Sequence, residues 1–334
     1  MHRNIKIAII ANTRDEFENA SDISNIIYND NPSKKSIDYL LSEIRCLGFE
    51  SFFFGGIEEL ITACKEKKEY QNTLFFNLSD GLTQPSRKGQ AAFLLEILGV
   101  PYIGSDPFTR LMTANKSYTK QFLCSQEITS PNGHIIRSLN DFSQYDIEYP
   151  IMIKPNNEGS SIGITQESVA FDFTSAVYYL NKLLNKFDEI LIEQYIEGYD
   201  ITNLVIGNSD SFLVSEVIIS SLNGKTYFDK EVLGIKEKAT GVRKQFLGEE
   251  ILQKNQIEYI KKMSNKIFKC LNLKDYARFD YRLNNKQLYF LEASPNPVLS
   301  ETSELGLISL KRQTPARLYL EAVINSAVLR INTK

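Results

Sequence analysis

Residues 276–297 read YARFDYRLNNKQLYFLEASPNP. Two alternating apolar–polar stretches, Ala277 to Leu283 and Gln287 to Ala293, meet at Asn-Asn-Lys-Gln, so the segment is predicted to be a β-hairpin. A loop with an odd number of residues would set Asp280 opposite Glu292 and Arg278 opposite Ser294, with opposed side chains roughly 5 Å apart. Two facing carboxylates repel unless a cation lies between them. Asp and Glu without histidine suit a hard cation such as Mg2+, whose remaining ligands are preferably phosphate oxygens. An isolated acid pair on a hairpin is ordinarily surface decoration. Leu288 and Phe290 are expected to share the acid face and so to place the pair in a covered cleft.

Two segments upstream carry related chemistry. In YPIMIKPNNEGSSIG, residues 149–163, an apolar strand delivers Lys154 and runs into a small-residue loop. Glu158, Gly159, Ser160, Ser161 and Gly163 would let backbone N–H groups approach a phosphate, with Lys154 adding charge. The spacing is not that of a Walker loop. In ILIEQYIEGYD, residues 190–200, a second apolar strand ends in Glu193, Gln194, Tyr195 and Ile196. Backbone beyond such a strand can meet a base edge, and Asp200 can accept from ribose hydroxyls. Taken singly, this segment reads equally as a strand and a solvated turn.

The first hundred residues alternate strand and helix signals. Strands are expected at Ile5 to Ile10, Ser51 to Phe54 and Leu74 to Leu78, with a short apolar run at Val100 to Ile103; helices are expected at Ile37 to Leu47, Ile57 to Cys64 and Gln90 to Leu98. That order predicts a parallel, doubly wound α/β sheet. Two helical stretches from Phe108 to Leu123 lead into a β-rich unit with strands at Gly133 to Ile136 and Pro150 to Lys154. The last unit has the hairpin as its core and a closing helix from Pro315 to Leu329. The polar stretch Asn223 to Lys244 reads as a mobile lid, or as an ordinary surface loop.

Composition narrows the chemistry. With 43% hydrophobic residues, 24% charged and a net charge of -3, the 334-residue chain carries no nucleic-acid footprint and no apolar run of membrane-spanning length. Four scattered cysteines fit free thiols in a reducing cytoplasm. With only His2 and His134 present, catalysis must rest on carboxylates, lysines and arginines.

Together, in this order, the three segments resemble the ATP-grasp superfamily and, within it, the D-alanine–D-alanine ligase family. Gly99-Val-Pro-Tyr-Ile-Gly-Ser105 is similar to that family's G-[IV]-P-Y-x-G-S segment, and Asn115-Lys116-x-x-Thr119-Lys120 to its D-K-x-x-[TS]-K helix start. The likeness runs from about Leu74 to the end of the chain. It implies an N-terminal α/β domain (1–112) and two α+β subdomains (113–187 and 188–334) clamping ATP. By the same resemblance Lys116 and Lys154 contact the phosphates beneath a loop with Glu158, Ser160 and Ser161. Glu193 to Ile196 line the adenine and Asp200 holds the ribose. Asp280 and Glu292 bind Mg2+, Arg278 stabilises the tetrahedral intermediate, and Ser303 meets the carboxylate of an amino-acid acceptor. The implied reaction is ATP-dependent joining of a small carboxylate to an amine through an acyl phosphate, in a cytoplasmic enzyme for which a homodimer is allowed.

Several positions depart from the family pattern. The Gly-rich segment whose glutamate anchors the first D-alanine is replaced by Ala11-Asn-Thr-Arg-Asp-Glu-Phe17, and the HG…GEDG segment by Phe76-Asn-Leu-Ser-Asp-Gly81. Ser294 stands where a metal-binding Asn is usual, leaving Ser294 or Asn296 as third ligand, and Val298 replaces a glycine near the oxyanion. In the lid, Lys236 is the candidate for the γ-phosphate. The departures leave two rivals to a ligase of other substrates: a true D-alanine–D-alanine ligase with a rewired first site, and a non-catalytic ATP-binding protein.

Overall fold

The computed structural model describes residues 4–17, 28, 31–82, 86–208 and 211–332; His2 lies outside them. The first sheet is parallel, as expected. Strands β1 (Lys6–Ile10), β2 (Glu50–Gly55), β3 (Thr73–Asn77) and β4 (Tyr102–Ile103) lie in the order β2-β1-β3-β4. Successive residues of β1 face opposite ways, and both faces are covered. Ile7 and Ile9 pack with helix Lys34–Cys46 and the C-terminal helix Ala316–Asn332, while Ala8 and Ile10 pack with helices Ile57–Glu66 and Gln90–Leu98. Burial on both sides is the usual condition of a parallel sheet.

The second sheet is antiparallel, with β5 (Gly133–Ile136), β6 (Ile151–Pro155), β7 (Val169–Ala170) and β8 (Ile190–Gln194) in the order β5-β8-β6-β7. Ile151, Ile153, Ile190 and Ile192 point to one core beneath helix Phe173–Leu184. The period of two therefore turns Met152, Lys154 and Glu193 to the other face.

The third sheet contains β9 (Gly198–Asn208), β10 (Ser211–Leu222), β11 (Tyr227–Phe228), β12 (Arg243–Leu247), β13 (Tyr276–Leu283) and β14 (Leu288–Ser294). Its path is β12-β10-β9-β13-β14, with β11 on β9. The sequence-predicted hairpin is thus one edge of this sheet, and β9 lies at its centre. One face packs Ile201, Val205, Ala277, Phe279 and Tyr281 against helix Lys254–Cys270. The other face is divided. Leu204, Ile206 and Tyr276 join the core of the first sheet, whereas Asp200, Thr202, Arg278, Asp280 and Arg282, on the same side further along, line a cleft. A single sheet face thus changes from core to site along its length.

Candidate active site

Asp280 does face Glu292, and Arg278 faces Ser294, but not by the predicted route. The connecting loop, Asn284 to Gln287, has four residues and pairs Leu283 with Leu288; an irregularity between Asp280 and Tyr281 leaves Leu291 unpaired and restores the acid pairing. Such a bulge reverses which face the following residues occupy. Leu288 and Phe290 therefore belong to the core with Phe279, rather than sharing the acid face as the sequence suggested. The acids share a cleft with Lys154 and Glu193 of the second sheet and with Val232, Leu233, Lys238 and Arg243.

The cleft between the second and third sheets has two lobes joined at Arg278 and Glu292. The first is lined on one wall by Met152, Lys154 and Glu193 to Ile196, and on the other by Asp200, Thr202, Asp280 and Arg282. Val232, Leu233, Lys238 and Arg243 complete its lining. Met152, Ile164, Ile196, Val232 and Leu291 give this lobe apolar surface, suited to a flat base. The second lobe is lined by Asp80, Lys88, Arg110, Lys116, Glu158 to Ser160 and Ser294 to Val298.

Glu193 lines the first lobe with Gln194 to Ile196, and its carboxylate has further partners. It is buried and bridges two ammonium groups, accepting from Lys120 and standing 2.6 Å from Lys154 Nζ. Burial alone would push this carboxyl up, but Lys120 and Lys154 outweigh it and hold it below the usual range. Burial in turn brings Lys120 down to about 8, with Glu193 opposing. Glu193 is therefore the counter-ion of a lysine pair, not a free contact for a base. Lys120 was visible in the helix-start motif, but its partner could not be read from one segment.

Glu158 is likewise occupied: its carboxylate pairs with Arg87 at 2.8 Å in a buried bridge, and its carbonyl accepts from Lys116. It borders the second lobe, not the first. Lys116 lies 3.6 Å from Glu292 and also borders the second lobe. Ser160 and Ser161 both have positive φ, 48° and 60°, and border the second and first lobes respectively. Asp200 lines the first lobe and is held 3.3 Å from Arg282.

Lys236 does not reach the cleft. It borders a surface depression with Asn223 and Thr240, whereas Lys238, two residues along the short helix Ile235–Ala239, lines the first lobe and donates to Ser161 Oγ at 2.6 Å. Two residues of helix rotate a side chain by about 200°, so only one of these lysines can face inward. The stretch read as a loop carries β11, this helix and the start of β12. It is fastened at Leu233, whose carbonyl accepts from Ser161 Oγ, and at Val232, whose carbonyl accepts from Gln166. Gly234 allows the close approach: a Cβ there would stand 2.5 Å from Ile164 O.

Ser303 is an N-cap. Its Oγ accepts from the amides of Leu305 and Ser300 and donates to Ser300 O at 2.8 Å, leaving it committed to the start of helix Glu304–Arg312. The next residue, Glu304, is the one that lines the cleft, with Arg243 and Arg278 beside it. Neither Glu304 nor Arg243 carried a sequence signal.

Asp280 accepts from Thr202 Oγ1 at 2.9 Å and pairs with Arg278 at 2.8 Å. Burial pushes its carboxyl up, Arg278 opposes, and the nearby Glu292 charge raises it further. Burial also penalises Glu292, but the fields of Lys116, Lys154 and Arg278 prevail and lower it. Asn296 donates to Asp80 Oδ1 at 3.3 Å, and both Asn296 and Ser294 line the second lobe with Glu292. Among the described residues no group of three or more His, Cys, Asp or Glu is assembled for a metal. Two opposed carboxylates fit Mg2+ well only if phosphate and water supply the rest, which is its habit at nucleotide sites.

A clamp of two antiparallel sheets over a lysine-rich cleft, carried beside a parallel α/β layer, defines the ATP-grasp class. The family model described as D-ala D-ala ligase C-terminus matches residues 131–312, more than half of the chain, which therefore belongs to the D-alanine–D-alanine ligase family. The chain is 29% identical over 238 residues to the D-alanine–D-alanine ligase of Aquifex aeolicus, covering 71% of this chain and 77% of the relative. It is 26% identical over 298 residues to that of Thermotoga petrophila (89% and 93%), and 24% identical over 290 residues to the uncharacterized protein y4sG of Sinorhizobium fredii (84% and 83%). Among solved structures, the Bacillus anthracis D-alanine–D-alanine ligase complexed with ATP has a TM-score of 0.70 at 19% identity, covering 98% of both chains. The VanG D-Ala:D-Ser ligase of Enterococcus faecalis has 0.71 at 16%, covering 97% of this chain and 99% of that one. The family and fold inferred from the motifs are borne out.

Proposed function

We propose that the chain is an ATP- and Mg2+-dependent ligase that activates a small carboxylate as an acyl phosphate and joins it to an amine, with the two lobes of the cleft holding the two halves of that chemistry. The observation that carries the assignment is the junction at Arg278 and Glu292. There a lobe lined by Lys154 and Lys238 opens into a second lobe bordered by Lys88, Arg110 and Lys116. ATP lies in the first lobe, its base among Met152, Ile164, Ile196 and Leu291 and its ribose near Asp200. Lys154 and Lys238 face its phosphates, and Ser160 and Ser161 cover them. Asp280 and Glu292, with Ser294 or Asn296, would hold Mg2+, which would offset negative charge on the phosphates. The carboxylate donor occupies the second lobe, close to Lys116. After phosphoryl transfer the amine attacks the acyl carbon, Arg278 faces the anionic oxygen that develops, and phosphate leaves with the C–O bonding electrons. The three units 1–112, 113–187 and 188–334 form the scaffold of this clamp.

The donor is not D-alanine in this reading. Glu16, in the segment that replaces the family's Gly-rich stretch, is turned into its own loop. Its carboxylate accepts from Thr13 N at 2.7 Å, Thr13 Oγ1 at 3.0 Å and Asn12 Nδ2 at 3.2 Å. Asp80 in the second lobe is already compensated by Arg110, 3.6 Å away. A zwitterionic donor lacking a paired acid would forfeit about 2–5 kcal/mol. The test is ADP release and product analysis with Mg-ATP and a panel of amino acids and simple carboxylic acids. ADP release with some donor but little D-alanyl-D-alanine is expected. Efficient D-alanyl-D-alanine formation would assign the reaction named for the relatives, and no ADP release from any donor would favour a non-catalytic nucleotide-binding protein.

A further inference from the structure

Three carboxylates surround Arg278, and they meet different nitrogens. Nη2 lies 2.8 Å from Asp280 Oδ2 and 3.8 Å from Glu292 Oε1, whereas Nη1 lies 3.8 Å from Glu304 Oε2. The two acids on Nη2 are the pair assigned above to Mg2+. A guanidinium and a dication compete for the same oxygens, so a metal arriving at Asp280 must displace Nη2. Glu304 stands outside that competition. It begins helix Glu304–Arg312, where negative charge is favoured, and is buried, so its attraction to Arg278 is weakly screened. Its other oxygen, Oε1, faces Arg243 Nη2 at 3.5 Å, and Arg243 Nε is itself held by Ser220 Oγ at 3.3 Å.

We propose that Glu304 is a positioning residue: it retains the Arg278 guanidinium through Nη1 while the metal takes the acids that Nη2 would otherwise occupy. The inference rests on the metal reading of Asp280 and Glu292. Without Glu304, every remaining acid beside Arg278 is a metal ligand, so the arginine competes with the ion. When the ion wins, the arginine has no fixed place near the reacting carbon. Arg243 serves as the outer brace of the same chain of charges.

The experiment measures Mn2+ affinity for the protein–ADP complex by electron paramagnetic resonance of free Mn2+, which needs no knowledge of the donor or acceptor. Glu304→Gln should weaken Mn2+ binding by about tenfold, a coupling typical of contacting charged groups. In an Arg278→Met background the same substitution should change it by less than about threefold, because the competitor is gone. Should Glu304→Gln fail to fold, Arg243→Met in the same two backgrounds replaces it, with a smaller drop in the same direction. An unchanged affinity overturns the proposal, as does a drop that persists in full without Arg278, which would make Glu304 act on the ion directly. Absence of any Mn2+ binding by the unmodified protein would overturn the metal assignment itself, a result distinct from either.

Discussion

Replacing Glu193 with Gln removes the carboxylate that two buried lysines share while keeping shape and volume. Both lysines and Glu193 are at most 7% exposed in their side chains, so water cannot substitute for the lost charge. Breaking a buried pair from one side ordinarily costs about 3–5 kcal/mol. Two partners would argue for more, but a lysine can escape by releasing its proton. Lys120 is already down at about 8. Neutralising it at pH 7 adds only about 1.4 kcal/mol for that further unit, so the total stays within the usual range. At about 2–4 °C per kcal/mol for a sizeable domain, the melting temperature should fall by roughly 10 °C. The assay is thermal unfolding of the unmodified protein and Glu193→Gln, each with and without Mg-ATP. Phosphates that re-supply negative charge to the lysines should raise the melting temperature of the variant more than that of the parent. In a Lys120→Met background the same substitution should cost less. A variant melting within 2 °C of the parent would refute the counter-ion role. So would loss of adenosine affinity without loss of stability, since that would return the carboxylate to the base.

Three further outcomes follow from the same geometry. Lys238→Met should lower turnover tenfold or more and Lys236→Met should leave it within twofold, because only the former lines the cleft; the reverse order in steady-state rates would overturn the placement of the lid helix. Ser303→Ala should cost about 1 kcal/mol as a lost N-cap and leave the amine KM within twofold, whereas a large KM effect at unchanged melting temperature would restore a contact with substrate. Lys120, lowered by burial to about 8 from its usual 10.5, binds fewer protons in the folded chain than in the unfolded one between those values. Its contribution to stability therefore rises with pH from about 8 and levels off near 10, so Lys120→Met should remove that rise, and parallel melting profiles from pH 7.5 to 9.5 would contradict it.

The parallel sheet was legible because each of its elements carries its own signal. Gln90–Leu98 begins and ends where the helical pattern does, closed by Gly99 with φ 70°. The hairpin and the identity of its facing acids were legible too, but the reason for their pairing was not. A bulge at Leu291 is a tertiary accommodation, and it moved Leu288 and Phe290 to the opposite face from the one that alternation implies. Strand β9, which organises the third sheet, went unread because from Ile201 to Gly207 it is buried on both faces and shows no alternation. Side-chain commitments were the least readable. Nothing in the local sequence of Glu193, Glu158 or Ser303 shows that each is already occupied, by lysines, by Arg87 and by a helix end, since those partners lie on other elements or depend on the turn that forms. Lys236 and Lys238 were indistinguishable until the short helix fixed its rotation.

Activation of a carboxylate by phosphoryl transfer in this cleft would be recorded in the fate of the carboxylate oxygen. The donor that gives the most ADP in the amino-acid and carboxylic-acid panel is labelled with 18O in its carboxyl group and turned over with Mg-ATP and amine, and the inorganic phosphate is analysed by 31P NMR for the isotope shift. An acyl phosphate requires that one carboxyl oxygen leave on phosphorus, so the account predicts one 18O in each phosphate released during amide formation. Unlabelled phosphate would mean that water attacks ATP directly, and label appearing in AMP would mean an acyl adenylate. Either result, or the absence of ADP release with every donor, would contradict the account.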